Sequence, residues 1–493
     1  MRLGYVLGLL RHKSGRPVPG RPQFPRFLTG AIQAGVFLAM IGCAGVSSGP
    51  PPAKSPAQYP DPSPGTTGSF FGINANSLAD PWPATMIPVS SWRSLGASVK
   101  WADIDSNGVY DWSRLDKWLA QAKAQKTDVL YTVYATPSWA SSRGMNSASP
   151  NSGCTYQQQN GPGVCDPPSD LNCDGTGSNQ AFQNFVSALI QHAGPGTIKY
   201  WELWNEPNVD AQWNGDADCA ASGVQHAGNL MLARMAKDLR TIVRAADAKA
   251  MFTTPAATSA TNAGNWLADY LTNTDGGNYA DINAFHGYVG TGMCPSECPV
   301  AERVQFQIEH LTSLLPPAAQ GKPLFDTEGA WGAPKNANGK KVNAITDADQ
   351  QQSFLARYYL MQMWKGVAKF YWWNWDLANM SSFYDAGTHS LNQAGVAYTQ
   401  IVRWTNGGSA KVESCSTNPS VPSQWTCIIK SPKGLESQAI WDTAQSCESG
   451  NCSTVDVTVP SQFNAYLDLG GNANTISGQQ VAVGLKPILL IQQ

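Results

Sequence analysis

Two glutamates at the ends of strand-like segments are the strongest candidates for chemistry in this sequence. Residues 198–206 form a largely apolar run that ends on Asn205-Glu206, and Pro207 stops it, as proline does where a buried strand ends. Residues 323–328 end in the same way on Glu328. Two carboxyl groups can cleave an acetal when one protonates the departing oxygen and the other faces the anomeric carbon. The pattern therefore predicts cleavage of glycosidic bonds.

Two other carboxylates on the same segments are predicted to lie deeper in the fold. Glu202 shares strand parity with Glu206 but precedes it by four residues, or ~13 Å along a strand. Asp326 precedes Glu328 by two residues, or ~7 Å. We therefore expect Glu202 to be a structural ion-pair or hydrogen-bond partner, and Asp326 to lie below the site.

Strand-like and helical segments alternate from residue 69 to residue 404. The strand-like segments are 69–74, 87–93, 128–135, 198–206, 250–254, 281–288, 323–328 and 368–375. Helical periodicity follows most of them, for example over 182–190, 230–243 and 393–404. Eight parallel βα units with right-handed crossovers close into a barrel whose catalytic groups lie at the C-terminal ends of the strands. We predict an α/β fold, a (β/α)8 TIM barrel, over residues 67–405.

The last part of the chain has a different character. Beyond residue 405, short β-rich runs alternate with turn residues. This pattern predicts a small β-sandwich-like domain over residues 406–493. We expect it to pack against the barrel, with carbohydrate binding as the less common alternative.

The composition argues against several classes of function. The formal net charge is −2 and charged residues make up 14% of the chain, so nothing indicates a nucleic-acid partner. Among the 18 tryptophans, most are expected in the core, and a few at strand ends could stack on sugar rings. The six histidines form no metal-binding cluster in the sequence, and no phosphate loop precedes a helix. The sequence therefore predicts neither a metal nor a cofactor.

The N-terminus is typical of a targeting segment. Basic residues precede an apolar run over 27–43 that is too short to span a bilayer comfortably. Met40-Ile41-Gly42-Cys43 resembles a bacterial lipoprotein cleavage box, which would attach the protein to a membrane through a lipidated Cys43. We predict a signal peptide over 1–43, a Pro/Ser-rich linker over 44–66, and export. The product would be an outer-membrane or cell-surface lipoprotein, or a periplasmic or secreted protein.

The cysteines fit an oxidising compartment. Eleven cysteines minus Cys43 leave ten, an even number suited to disulfides. The insertion 141–179 holds Cys154, Cys165 and Cys173, and it could be tied to Cys219. Cys294 with Cys298, Cys415 with Cys427, and Cys447 with Cys452 are expected local pairs. Calcium binding by Asp166, Asp170 and Asp174 is a weak alternative for the insertion, because a spacing of four fits no common calcium loop.

Several motifs follow the order found in a known group of enzymes. They are Ser91-Trp92-Arg93, Trp101-Ala102-Asp103-Ile104, Tyr110-Asp111-Trp112-Ser113-Arg114-Leu115-Asp116, Thr136-Pro137-Ser138-Trp139-Ala140, Trp204-Asn205-Glu206-Pro207-Asn208 and Asp326-Thr327-Glu328. In this order and spacing, residues 68–405 resemble the clan A retaining glycoside hydrolases. They are most similar to the family 39-type branch, which includes β-xylosidases and endo-acting enzymes.

The resemblance implies roles for individual residues. Glu206 matches the acid/base, Glu328 matches the nucleophile, and Asn205 matches the residue that binds the sugar 2-hydroxyl. Arg93 matches an arginine that places positive charge beside the nucleophile. The surroundings would hold Glu206 protonated, and the two carboxyls would lie ~5–5.5 Å apart.

The resemblance also implies a substrate-binding wall. His286 and Tyr288 fall on a His-x-Tyr pattern, in which the middle residue is usually bulkier than Gly287. Trp139 is expected to contact substrate, and Trp373 or Trp375 would form the platform for a sugar ring. Arg93 could instead be a simple barrel ion-pair partner, His286 a core histidine, and Tyr288 or the tryptophans packing residues.

Two other functions are compatible with the same residues. A transglycosylase would keep all of them and differ in excluding water. A non-catalytic, glycan-binding surface lipoprotein would keep the barrel without the reaction. A carbohydrate is the expected partner in every case.

Overall fold

Eight parallel strands surround the centre of the molecule. The structure is a computed structural model that describes residues 59, 68–78, 80–143, 161, 163–209, 212–258, 263–289, 301–331, 345, 347–377 and 381–492. The strands are β1 (Phe71–Asn74), β2 (Ser91–Arg93), β3 (Asp128–Val133), β4 (Tyr200–Leu203), β5 in two segments (Met251–Phe252 and Ala257–Thr258), β6 (Asn283–His286), β7 (Leu324–Gly329) and β8 (Val367–Trp372).

The sheet closes into a barrel through the broken strand β5. The first segment of β5 pairs with β4 and the second pairs with β6, so the order of pairing begins and ends on the same strand. Between the segments, Thr253 N donates to Trp201 O and Thr254 N donates to Ile282 O, both at 2.9 Å. The predicted TIM barrel is confirmed. The predicted strand 250–254 is too short, because the chain resumes pairing after Pro255, which has no N–H for the ladder.

Helices on the outside of the barrel connect the strands. They are α1 (Ser113–Ala124), α2 (Gln180–Ala193), α3 (Ala227–Ala246), α4 (Ala263–Asn273), α5 (Val304–Leu314), α6 (Ala348–Trp364) and α7 (Gln393–Trp404). Short helices Trp101–Ile104 and Gly215–Asp218 lie in the connections after β2 and β4. Within the described part of the β1–β2 connection, only the 3-10 turn Pro83–Thr85 is helical. The Asp347 side chain accepts from two backbone N–H groups at the start of α6, and the Asn392 side chain accepts from one at the start of α7.

Strand alternation along β2 supplies both the core and the site. Trp92 points outward and stacks on Trp118 of α1, with ring centroids 4.7 Å apart. Its neighbours Ser91 and Arg93 point into the barrel, where Ser91 Oγ lies 2.8 Å from the hydroxyl of Tyr371. A strand with this period therefore anchors a helix with one face and presents polar groups with the other.

The C-terminal region is an antiparallel sheet with a second, smaller layer. Its strands are β9 (Lys411–Asn418), β10 (Val421–Lys430), β11 (Glu436–Asp442), β12 (Val455–Thr458), β13 (Ala465–Leu467), β14 (Ala473–Thr475), β15 (Gln480–Val483) and β16 (Ile488–Ile491). Six of them form one sheet in the order β9-β10-β11-β16-β13-β14, and β12 pairs with β15. Apolar side chains from the two layers meet in one cluster, which includes Ile440, Val481 and Leu490. This is the expected β-sandwich-like region.

A hydrogen bond to a buried ion pair of the barrel joins the C-terminal sheet to it. Trp441 Nε1 on β11 donates to Glu302 Oε1 at 2.7 Å. Glu302 also accepts from Arg357 Nη1 on α6 at 2.9 Å. Because α7 ends at Trp404 and β9 begins at Lys411, we propose to place the boundary between the two parts after residue 405.

Two predicted cysteine pairs are confirmed, Cys415–Cys427 and Cys447–Cys452. The predicted tie between the insertion and Cys219 is also present, and Cys173 is the cysteine that makes it. Cys165 is also disulfide-bonded. The carboxylates suggested for calcium accept instead from protein donors, as Asp166 does from Ser141 Oγ at 2.7 Å and Asn214 Nδ2 at 2.8 Å. This favours a stapled loop for the insertion.

Some predictions fall on other parts of the chain. The Cys294–Cys298 pair, the targeting segment 1–43 and nearly all of the linker 44–66 lie outside the described residues. They stay predictions. Within the part of the chain that the structure describes, no helix is both long enough and apolar enough to cross a membrane.

Candidate active site

The C-terminal ends of β2, β4, β6 and β7 bring the predicted site residues together. Parallel register places Glu328 beside His286. Arg93 lies on β2 with Leu130 of β3 as its neighbour, and β3 in turn pairs with β4. Because all strands of such a barrel point the same way, groups at their C-terminal ends converge on one face.

The backbone after β4 turns sharply to present its two polar residues. Trp204 and Glu206 both adopt left-handed conformations, with φ of 62° and 46°, which costs roughly 1–2 kcal/mol for each residue with a side chain. Trp204 N donates to Val133 O at 2.8 Å and Glu206 N donates to Ala256 O at 2.9 Å. Neighbouring strands thus hold a strained conformation, as is common where a side chain is aimed for function.

A fully buried arginine is the centre of the site. Arg93 donates to Glu202 Oε2 at 2.8 Å through Nε, to Glu328 Oε2 at 2.7 Å through Nη1, and to Asn205 Oδ1 at 2.9 Å through Nη2. Burial alone would lower the pKa of Arg93, but the charges of Glu202 and Glu328 outweigh it and raise the pKa. The side chain is therefore a permanent cation between two carboxylates.

Glu202 has the structural role expected from its depth. It is fully buried and accepts from Arg93 and from Thr132 Oγ1, the latter at 2.8 Å. Thr132 was not among the predicted residues, although alternation along β3 points its side chain into the barrel. Glu202 orients the guanidinium whose other end binds Glu328.

Glu328 is held on both of its oxygens. Arg93 binds Oε2, and the Tyr288 hydroxyl donates to Oε1 at 2.8 Å. Burial, then the charge of Glu328, raises the pKa of Tyr288 well above its usual range, so the phenol keeps its proton. Glu328 is 7% exposed, which leaves a small open surface on an otherwise fixed carboxylate.

Glu206 has a different environment, and one expectation about it is wrong. Its Oε1 lies 2.9 Å from His286 Nδ1, and Gln212 Nε2 donates to Oε2 at 3.4 Å. Burial alone would raise the pKa of Glu206, but the hydrogen bond and charge of His286 outweigh it and lower the pKa. The surroundings therefore do not hold Glu206 protonated in the free protein. The sequence does not indicate this effect, because His286 lies 80 residues away along the chain.

His286 shows the matching shift. Burial would lower its pKa, but the charge of Glu328 and the hydrogen bond to Glu206 outweigh it and raise the pKa. Nε2 lies 3.3 Å from Arg93 Nη2, on the other side of the ring. The buried His286 and Glu206, whose side chain is 16% exposed, therefore form a pair that shares one proton in the free protein.

The three candidate tryptophans lie in different settings. Trp373 follows β8, where its N–H donates to Gly329 O at 3.0 Å, and its side chain is 9% exposed. Trp375 is fully buried, donates through Nε1 to Pro81 O at 3.0 Å and stacks on Tyr384. No face of Trp375 is open to a sugar, so the alternative that named it as platform does not fit the structure.

Trp139 lies beside a cavity on the loops that follow β2 and β3. Its Nε1 donates to Asp105 O at 3.2 Å, which fixes a half-buried ring. The cavity has a volume of about 410 Å³ and is lined by Trp139, Tyr110 and several acidic residues. A fixed aromatic face beside hydrogen-bond acceptors is the kind of surface that binds a sugar ring.

Two groups among the described residues place possible metal ligands close together. One atom from each of Glu206, His286 and Glu328 lies within 4.8 Å of the others. The Arg93 guanidinium already supplies the positive charge at Glu328, at 2.7 Å. The second group contains Cys447 and Cys452, which are bonded to each other rather than present as thiolates.

Comparison with known proteins shows similarity in fold. No protein-family model matches the chain, and no curated protein matches it. A family 39 glycoside hydrolase from the gut symbiont Bacteroides cellulosilyticus WH2 is similar, with a TM-score of 0.54 and 12% identity over 82% of this chain and 76% of that one. A glucosidase from Croceicoccus marinus has a TM-score of 0.51 and 11% identity over 88% and 100% of the two chains. CelM2, a bifunctional glucanase–xylanase from a metagenome library, has a TM-score of 0.50 and 14% identity over 89% and 98%.

Proposed function

We propose that the protein is a retaining glycoside hydrolase that cleaves O-glycosidic bonds in an oligo- or polysaccharide, with Glu328 as nucleophile and Glu206 as acid/base. The observation that carries this proposal is the placing of two carboxylates in unlike environments at one end of the barrel. One oxygen of Glu206 lies within 4.8 Å of one oxygen of Glu328. This agrees with the ~5–5.5 Å of retaining enzymes better than with the ~6.5–9.5 Å of inverting ones. The fold shared with solved glycosidases supports the same reaction class.

The reaction has two steps. A Glu328 oxygen bonds to the anomeric carbon while the bond from that carbon to the leaving oxygen breaks, and Glu206 gives its proton to that oxygen. Water then attacks the anomeric carbon, Glu206 takes the proton of the water, and the ester bond to Glu328 breaks. Arg93 and Tyr288 fix the direction of Glu328 in both steps, since each binds one of its oxygens.

The Glu206–His286 pair supplies the proton. In the free protein the shared proton lies toward His286, and Glu206 Oε1 is 2.9 Å away. Formation of the ester consumes the charge of Glu328, which is a large cause of the raised His286 pKa. The proton therefore becomes easier to release at the moment when the leaving oxygen needs it.

Asn205 and two tryptophans would bind the sugar. Because Arg93 Nη2 holds Asn205 Oδ1 at 2.9 Å, the amide nitrogen of Asn205 remains to donate to a hydroxyl such as the 2-hydroxyl. Trp373, next to β7, would form the platform beside Glu328. Trp139 would bind a more distant sugar unit.

We also propose that the protein is exported. The disulfides fit an extracellular or periplasmic environment. Lipidation of Cys43 stays a prediction from the sequence. The test below also distinguishes hydrolysis from two alternative functions, transglycosylation and glycan binding by a lipoprotein.

The first test is release of reducing sugar by the purified protein across plant and microbial polysaccharides and aryl glycosides. We expect release from at least one of them. Glycan binding without release would support a binding lipoprotein, and transfer of sugar to added glycan with little hydrolysis would support a transglycosylase.

The shared proton predicts an alkaline limb in the pH profile. The Glu206 pKa lies below its ordinary 4.5 and the His286 pKa lies above its ordinary 6.5. We expect kcat/KM to fall above about pH 6.5, where the pair loses the proton that the leaving oxygen needs. Four groups of the site, Arg93, Glu206, Glu328 and Asp326, act on His286 electrostatically or by hydrogen bonding.

The matching variant is His286→Asn. With the imidazole gone, the carboxyl of Glu206 alone must hold the proton, so the alkaline limb should move to lower pH. An alkaline limb that stays where it is in the wild type would show that the pair does not control the proton.

Trp139→Ala should weaken binding of longer substrates. Loss of one aromatic platform corresponds to about 1 kcal/mol, or roughly a fivefold rise in KM for an oligosaccharide, with little change for an aryl monoglycoside. Trp266→Ala is the control, because Trp266 is also half-buried but stacks on Tyr270 within α4. Equal effects of the two changes, or equal effects on short and long substrates, would argue against a sugar site at Trp139.

A further inference from the structure

A second buried carboxylate lies directly beneath the proposed nucleophile. Asp326 is fully buried. Its Oδ1 accepts from the backbone N–H of Glu328 at 3.2 Å and from that of Gly287 at 2.9 Å. These amides belong to β7 and to the end of β6, so one side chain joins the two strands where they carry Glu328 and Tyr288.

The other oxygen of Asp326 is fixed by helix α6. Gln362 Nε2 donates to Oδ2, and the Tyr358 hydroxyl lies 3.4 Å from it. Tyr358 itself donates to Gly287 O. Tyr358 and Gln362 are four residues apart on one helix, so they reach the same point. The carboxylate is thus clamped between a helix and the two strands.

Two glycines make room for this arrangement. A Cβ on Gly287 would lie 2.2 Å from Asp326 Oδ2 and 2.7 Å from the Tyr358 hydroxyl. A Cβ on Gly329 would lie 2.5 Å from the same hydroxyl and 3.0 Å from Asp326 Oδ2. Gly287 precedes Tyr288, and Gly329 follows Glu328. The small residue in His286-Gly287-Tyr288 therefore has a physical reason, since a side chain there would displace Asp326.

We propose that Asp326 is a positioning residue for the reaction: through the backbone amides of Glu328 and Gly287 it sets the distance and angle between Glu328 and Tyr288. This inference rests on the proposed function, because positioning matters only if Glu328 reacts. Asp326 does not touch the substrate. It acts through the Tyr288–Glu328 hydrogen bond of 2.8 Å, which depends on both strands being in register.

Asparagine at position 326 separates the acceptor role of Asp326 from its charge. Burial raises the pKa of Asp326 to about 7. The hydrogen bond from the Gly287 amide and the charge of His286 lower this pKa, but burial outweighs them. Asparagine mimics the neutral form and keeps Oδ1 as acceptor. The new Nδ2 can donate to Gln362 Oε1 after a flip of that amide, since Gln362 Oε1 is a buried atom without a hydrogen-bond partner among the described residues.

The experiment compares Asp326→Ala with Asp326→Asn by backbone amide exchange and by steady-state kinetics. In Asp326→Ala, the Gly287 and Glu328 amides should exchange about tenfold faster or more, because both lose the side-chain oxygen that accepts from them. kcat should fall by at least about 30-fold with KM changed by less than about threefold. Asp326→Asn should keep both amides protected and kcat within about threefold of wild type.

The control is Asp442→Ala in the C-terminal sheet. Asp442 is 3% exposed and caps the Ala444 amide at 2.9 Å, so it matches Asp326 in burial and in bonding to backbone. It should lower stability without a change in kcat. A fall in kcat in both alanine variants would indicate a general effect of stability and would overturn the proposal.

Gly287→Ala tests the same contact without removing the carboxylate. We expect Gly287→Ala to lower kcat when Asp326 is present. In Asp326→Ala, the same change should lower kcat by a smaller factor, because both changes act on one contact. Fully independent effects of the two changes would contradict the proposal.

Exchange and kinetics separate two kinds of failure. Unchanged exchange of the Gly287 and Glu328 amides in Asp326→Ala overturns the positioning role, whatever the activity. Faster exchange in a protein whose wild type cleaves no glycoside leaves the clamp in place and refutes the proposed function on which the catalytic role depends.

Discussion

The Glu328→Gln protein is expected to lose at least about 10⁴-fold in kcat on every glycoside that the wild type cleaves. The change is nearly isosteric, and it replaces the carboxylate bound by Arg93 at 2.7 Å and by Tyr288 at 2.8 Å. A carboxamide is too weak a nucleophile to form the glycosyl ester. Initial rates of reducing-sugar release beside the wild type measure the loss.

Glu302→Gln is the matched control for this variant. Glu302 is also a buried glutamate bonded to an arginine, Arg357 at 2.9 Å, but it lies against the C-terminal sheet. Both variants remove a carboxylate partner from a buried arginine, and Arg93 keeps Glu202 as a second partner, so Glu302→Gln should be at least as destabilising as Glu328→Gln. If Glu302→Gln loses activity as strongly as Glu328→Gln, the loss comes from unfolding and Glu328 is not identified as nucleophile.

Glu206→Ala should show a loss that depends on the leaving group. For a natural glycoside, whose leaving oxygen needs a proton, we expect kcat/KM to fall by about 10²–10⁴-fold. For an aryl glycoside with an acidic phenol, the first step should be nearly as fast as in the wild type, because the phenolate leaves without help. The second step should slow, since no base activates the water.

The pattern of rates across leaving groups is the measurement. Adding azide should restore turnover of the aryl glycoside, because an anion needs no base and the truncated side chain leaves room for it. An equal loss on good and poor leaving groups, without recovery in azide, would contradict the acid/base role of Glu206.

The alternation of side chains along strands allowed most of the inward-facing residues to be predicted from the sequence. Side chains two residues apart on a strand share a face, so the sequence alone places Glu202 below Glu206. The ends of helices were also predictable, as for α7 over Gln393–Trp404, because side-chain capping and periodicity are local. The break in β5 was not, since the pairing of Ala257 with Phe285 depends on another strand.

The site was less predictable where its chemistry depends on contacts between distant residues. The proton of Glu206 is governed by His286, and the position of Glu328 by Asp326, Tyr358 and Gln362. None of these contacts is visible in local spacing. Trp375 is a similar case, because its buried setting is created by Tyr384 and Pro81 from other loops.

The anomeric configuration of the first-formed product tests the central claim most directly. Proton NMR of the anomeric region during the first minutes of hydrolysis, before mutarotation, would record it for any substrate found in the reducing-sugar survey. The close pair of Glu206 and Glu328 predicts a product with the same configuration as the substrate. A product of opposite configuration would contradict the double displacement at Glu328.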